Sequence, residues 1–209
     1  MLLTPMHDPA RPARLAVVAY DVACPRRQRR VRRLLQELDT GCQYSVFELL
    51  LPHAQVRGVM AELSALCCLG EDRLALWWPL GGARLHWAEG RLRGRQRHAG
   101  SDRALPPHDV TAGSANTIVC YDIADPERLR AVAQAIAPQA AMVQRSVYWL
   151  RMPAASMWAA LQHCARRLDE GDRLWAYPLH GAEALWRVGE SGSALLPMAA
   201  HRWTKGDGS

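Results

Sequence analysis

Two carboxylates are the residues of this chain best placed to do chemistry. Asp21 ends the run LAVVAYD at residues 15–21, and Asp122 ends TIVCYD at 117–122, 101 residues later. A short run of apolar and β-favouring residues reads as a buried strand. Each carboxylate then sits at the mouth of its strand, just before a helix. An aspartate there can be an ordinary turn or helix-entry residue. Its return at the end of the same strand in two copies favours a chemical role. Two carboxylates brought close repel, so one is hard to ionise unless a cation neutralises the pair.

The second candidate is a block of arginines. Arg26, Arg27, Arg29, Arg30, Arg32 and Arg33 place six guanidiniums within eight residues. Like charges on neighbouring helical turns repel and weaken the helix. A polyanionic partner relieves that repulsion, and arginine forks suit phosphates. The matching stretch of the second copy keeps only Arg128 and Arg130 against Arg27 and Arg29. The positive charge is one-sided along the chain as a whole. Residues 1–100 hold 15 arginines against 9 acidic residues, and the remainder balances, so the net charge of +6 lies in the first half. Arginine supplies all but one of the 26 basic residues, which GC-rich coding could also produce.

The elements that must position these groups occur twice. After the first strand, Pro25 opens a helix, where its fixed φ and missing N–H are tolerated. Val31, Leu34, Leu35 and Leu38 give that helix one apolar face. A polar break at Gln43, Tyr44 and Ser45 separates two strand-like pieces. A second amphipathic helix follows, then a Gly-Glu-Asp turn, a buried strand at 74–80 and a short strand in GARLHWAEG. The order then repeats. Gln43-x-Ser45-Val46-Phe47 matches Gln144-x-Ser146-Val147-Tyr148, Asp72-Arg73-Leu74 matches Asp172-Arg173-Leu174, and Trp87 matches Trp186. Each unit reads βαββαβ plus a short extra strand, the ferredoxin-like plan. The fold class expected is α+β, with two tandem units at 15–90 and 116–189. A 25-residue linker at 91–115 and a C-terminal tail at 190–209 complete the chain. Trp77, Trp78, Trp175 and Tyr177 read as core or interface residues rather than base-stacking platforms.

Several classes are excluded. No stretch approaches 18 uninterrupted apolar residues, so no membrane span is expected. The N-terminus has no secretory pattern. The six cysteines form no CxxC pair, and the eight histidines show no zinc-ligand spacing. Reduced thiols in a cytoplasmic protein are the expectation.

Together these motifs resemble the small ferredoxin-like protein of CRISPR spacer acquisition, the CRISPR-associated endoribonuclease family that partners the spacer integrase. The resembling residues are Tyr20-Asp21-Val22, the arginine-rich helix start, Gln43 to Glu48, and the Asp72 turn leading to Trp78-Pro79-Leu80. The second copy offers Tyr121-Asp122-Ile123, Gln144 to Tyr148, and the stretch from Asp172 to Leu179. The resemblance implies an antiviral-defence protein built as a pseudo-dimer, here within one monomeric chain. It implies that Asp21 and Asp122 face each other, act catalytically and hold one Mg²⁺ ion. It implies extra strands near Trp87 and Trp186 that pair with the opposite unit. Ser45 and Ser146 are carried over as supporting motif residues.

The function expected is that of a central nucleic-acid-binding component of the spacer-integration complex, with a magnesium-dependent endonuclease at the paired aspartates. The alternative is a DNA-binding scaffold without chemistry. A small-molecule regulatory pair built on the same fold would leave the arginine helix unexplained. Arg26, Arg27, Arg29, Arg30, Arg33, Arg128 and Arg130 are the expected contacts to double-stranded DNA or RNA. The second copy departs from the first where Glu48 becomes Trp149.

Overall fold

The computed structural model describes residues 13–43, 45–68, 70–80, 83–88, 91–97, 114–179 and 185–188. Tyr44, most of the linker and the C-terminal tail lie outside the described residues.

The first copy runs β1 (Arg14–Asp21), α1 (Pro25–Gln36), β2 (Asp39–Gln43), β3 (Val46–Leu51), α2 (His53–Leu66) and β4 (Arg73–Trp77). Two further strands follow, β5 (Ala83–Ala88) and β6 (Arg91–Arg97). The second copy runs β7 (Ser114–Asp122), α3 (Pro126–Ile136), β8 (Ala140–Gln144), β9 (Val147–Pro153), α4 (Ala154–Ala165), β10 (Arg173–Leu179) and β11 (Leu185–Val188). These strands make two antiparallel sheets, ordered β11-β4-β1-β3-β2 and β6-β5-β10-β7-β9-β8. Removing β11, β5 and β6 leaves the same ferredoxin-like order in each. The chain is thus two ferredoxin-like units, and each adds a strand to the other's sheet.

That exchange is the expected one, with β5 on β10 and β11 on β4. Its register departs from the sequence repeat. Trp87 lies opposite Leu174, whereas Trp186 lies opposite Leu76, two residues from Leu74. A two-residue shift keeps side chains on the same face, so the sheet tolerates it. The stretch expected to be linker is also more ordered at its start. Arg91–Arg97 forms β6, an edge strand on β5. No apolar period marks it, because an edge strand needs only backbone pairing along one side.

β1 and β7 are central and covered on both faces, which explains continuous apolar runs rather than alternation. In β1, Ala16, Val18 and Tyr20 pack under the helices with Phe47, Leu49, Met60 and Leu63. The intervening Leu15, Val17 and Ala19 face the other sheet and pack with Trp77, Ile118, Cys120, Trp149 and Tyr177. The second copy repeats this, with Val119, Tyr121 and Ile123 under its own helices. Fully burying one such aliphatic side chain contributes about 1.5–3 kcal/mol, so the inter-sheet layer is a major share of the fold's stability. No described helix is long and apolar enough to cross a membrane.

Candidate functional site

Strand periodicity decides where the aspartates stand. Residues two apart on a strand share a face. Asp21 follows Leu15, Val17 and Ala19 on the inter-sheet face of β1. Asp122 follows Ile118 and Cys120 on the inter-sheet face of β7. Both carboxylates therefore end the apolar layer between the units, one from each side. Asp21 is opposite Arg73, and Asp122 is opposite Arg173.

Their surroundings differ. Asp21 is 39% exposed, and Arg73 Nη1 lies 4.0 Å from its Oδ2. Burial pushes the Asp122 carboxyl above its ordinary range, and the charge of Asp172 pushes it further, against a smaller opposing pull from Arg173. Such a carboxylate is short of positive charge, a state that a divalent cation relieves. The donor set is hard oxygen, which suits Mg²⁺ with water completing its shell. Among the described residues no three His, Cys, Asp or Glu side chains converge as a metal cluster.

The serines of the repeated motif reach the first strands through their backbone carbonyls. The Ser45 carbonyl accepts from the Tyr20 N–H at 3.1 Å, and that of Ser146 accepts from the Tyr121 N–H at 3.2 Å. Each bond anchors the residue immediately before an aspartate. Ser146 takes the left-handed backbone, φ 62°, to make its turn. Tyr20 stacks on Phe47 at 5.9 Å, and Tyr121 stacks on Tyr148 at the same spacing.

A clamp beneath the loops completes each half-site. Asp72 is fully buried and accepts from the Ala23 N–H at 2.9 Å, the Cys68 N–H at 2.8 Å and Arg27 Nε at 2.7 Å. Arg27 Nη2 also donates to Glu71 at 2.7 Å. The second copy repeats the device. Asp172 accepts from the Ala124 N–H at 3.3 Å, the Asp169 N–H at 3.0 Å and Arg128 Nε at 2.8 Å. Burial alone would raise Asp72 and Asp172, but the arginine and backbone donors outweigh it and hold both below the usual carboxylate range. The clamp ties the turn after each aspartate to its first helix. The sequence carried a signal for it, since Asp72 and Arg27 both recur as Asp172 and Arg128.

This geometry sorts the arginines. Arg27 and Arg128 are engaged in the clamps, so their guanidiniums serve the fold. Arg26, Arg29, Arg30 and Arg33 on α1 are exposed, as is Arg130 on α3, and Arg32 is half-buried. Arg33 lies 3.7 Å from the exposed Glu37 of its own helix, a pair worth little in water. The outer face of α1 is therefore strongly cationic, and that of α3 is not.

Comparison with known proteins follows the same division into two units. The family model for the CRISPR associated protein Cas2 matches twice, over residues 14–78 and 116–184. A curated relative, the CRISPR-associated endoribonuclease Cas2 1 of Thermodesulfovibrio yellowstonii, is 27% identical over 95 residues, 46% of this chain and 89% of its own. A solved structure, the hypothetical protein TT1823 from Thermus thermophilus, is 31% identical over 34% of this chain and 85% of its own, with a TM-score of 0.32. With its two matches, each falling on one ferredoxin-like unit, the chain belongs to the CRISPR-associated Cas2 family.

Proposed function

We propose that this protein serves CRISPR adaptation as the central nucleic-acid-binding component of a spacer-integration complex, with a metal-dependent phosphodiesterase centre at Asp21 and Asp122. What supports this reading is that strand alternation puts Asp21 and Asp122 on the inter-sheet face, each at the end of the central strand of its own unit. They would jointly hold one Mg²⁺. Such an ion, when bound, supplies charge stabilisation at a phosphodiester and a more acidic water.

The chain's own residues supply the rest. The Ser45 and Ser146 carbonyls hold the strand ends. The Asp72 and Asp172 clamps hold the following turns. Arg26, Arg29, Arg30 and Arg33 offer an array of donors to a phosphate backbone. The spacer integrase is the protein partner in this reading, and duplex DNA or RNA the ligand.

A second reading, a scaffold that binds nucleic acid without cleaving it, is favoured by the sparse donor set and by Arg73 beside Asp21. The two readings separate on the variant carrying both Asp21→Asn and Asp122→Asn. Loss of Mg²⁺-dependent cleavage of DNA and RNA by this variant supports the catalytic reading. Cleavage that survives the double substitution overturns it. Spacer integration that persists with purified integrase in the double variant, with no cleavage by the wild type, establishes the scaffold.

A further inference from the structure

A carboxyl side chain is built into the apolar layer between the sheets. Glu48 on β3 is only 4% exposed. Its Oε1 accepts from the Tyr177 hydroxyl at 2.9 Å and from Arg84 Nη1 at 2.7 Å. Glu48 stands in the first sheet, while Tyr177 and Arg84 stand in the second. Arg84 belongs to the first copy by sequence and arrives on the exchanged strand β5. The trio therefore closes only when the two units are packed together.

The strand registers identify its counterpart across the pseudo-twofold axis. Val17 pairs with Glu48 and Trp77, and the equivalent Ile118 pairs with Trp149 and Tyr177. Glu48 thus corresponds to Trp149, and Tyr177 to Trp77. Leu85 pairs with Ala176, which brings Arg84 alongside Tyr177, and Leu185 takes the same place beside Trp77. The counterpart of Glu48, Tyr177 and Arg84 is therefore Trp149, Trp77 and Leu185. One side of the axis is ionic, and the other holds two tryptophans whose buried Nε1 atoms have no hydrogen-bond partner among the described residues. Trp77 and Tyr177 meet edge to face between them, with ring centres 5.7 Å apart.

We propose that this trio is a pairing code. It makes the first unit select the second unit, rather than a second copy of itself, as the partner across the sheet interface. An apolar layer alone discriminates weakly between two homologous faces. Here each wrong pairing carries its own penalty. A pair of first units buries two Glu48–Arg84 pairs in the layer instead of one, at a desolvation cost, and gives each Glu48 the Trp77 indole N–H in place of the tyrosine hydroxyl. A pair of second units buries each Tyr177 hydroxyl against Trp149, with no carboxylate to receive it. A buried polar group without its partner is the usual device by which an interface rejects the wrong mate. A single buried polar residue also fixes partner choice in coiled coils. The correct pairing satisfies the trio once and fills the opposite side with tryptophan. In a chain that carries both units, self-pairing would link chain to chain, so the code keeps assembly within one chain. This inference stands independently of the nuclease and nucleic-acid readings.

The test uses the full chain with a protease site placed within residues 98–113. The folded protein is cut and left to exchange its two fragments at equilibrium. Native mass spectrometry then reads mixed against self-paired fragments. The wild type is expected to exceed the random ratio of about two mixed pairs to one of each self-pair by at least tenfold. Tyr177→Phe removes only the hydroxyl and leaves the Glu48–Arg84 pair in place. It should lower the preference for mixed pairs by about tenfold and lower the thermal midpoint of the uncut chain, which stays folded. Adding Glu48→Gln should bring the ratio close to random. A random ratio in the wild type overturns the proposal. So does an unchanged preference in Tyr177→Phe.

Discussion

Asp122 and Asp172 are near neighbours that respond to folding in opposite directions. Asp122 is raised, first by burial and then by the charge of Asp172. Its ionised form is therefore disfavoured in the folded chain. The stability it gives is present below its unfolded value of about 4 and is lost as pH rises through the higher folded value. At neutral pH in the absence of divalent cations, Asp122→Asn should raise the thermal midpoint. A lowered midpoint would mean that the carboxylate is already neutralised within the protein. Asp72 and Asp172 are lowered, because their bonds from arginine and backbone outweigh burial. Their contribution is complete above about pH 4 and is lost as pH falls through the lower folded value. Asp72→Ala leaves the Ala23 and Cys68 N–H groups without their acceptor and should destabilise by about 1–3 kcal/mol. Denaturant titrations at pH 7 and pH 3 check this, with the difference between variant and wild type shrinking at pH 3. A constant difference would show that the clamp does not depend on the Asp72 charge.

Among the elements, α1 and α3 diverge most in what they present. Both begin at a proline and bury two aliphatic residues on the sheet side, Val31 and Leu35 in one and Val132 and Ile136 in the other. Their outward faces differ, and duplex binding should follow that difference. Replacing Arg26, Arg30 and Arg33 with glutamine should flatten the salt dependence of duplex affinity by up to about three units in log–log slope. It should weaken all sequences alike, since phosphate contacts carry no sequence information. Arg130→Gln should remove less than about one unit. Equal losses would contradict the asymmetry, and no loss in either would remove α1 from the binding surface. Arg128 is not a clean probe, because its loss also opens the Asp172 clamp. The sequence made these helices legible through their 3.6-residue apolar period and opening prolines. It did not separate Arg27 from its neighbours, because pairing with Asp72 spans 45 residues and leaves no local mark. Nor did it disclose β6, whose alternating arginines have no apolar face to read.

For the molecule as a whole, duplication and strand exchange pack two copies of a local motif against one inter-sheet layer. The ferredoxin-like plan was legible because β1 and β7 repeat with their flanking motifs, and the resemblance supplied the exchange of strands. The asymmetry across the interface was less visible. Glu48 against Trp149 could be seen in the aligned copies, but the meeting of Glu48 with Arg84 and Tyr177 depends on a strand register that no local pattern encodes. Exchange also redistributes charge. Arg91–Arg97 belongs to the first copy yet borders the sheet of the second, so charge counted by sequence half is not charge counted by unit. The proposed centre takes one aspartate from each copy. Mn²⁺, used as a spectroscopic stand-in for Mg²⁺, should bind the wild type at one ion per chain. Asp21→Asn and Asp122→Asn should each weaken that binding by tenfold or more, with the double variant no weaker than nonspecific binding. Two independent ions per chain, or a single ion indifferent to one of the substitutions, would contradict a shared site.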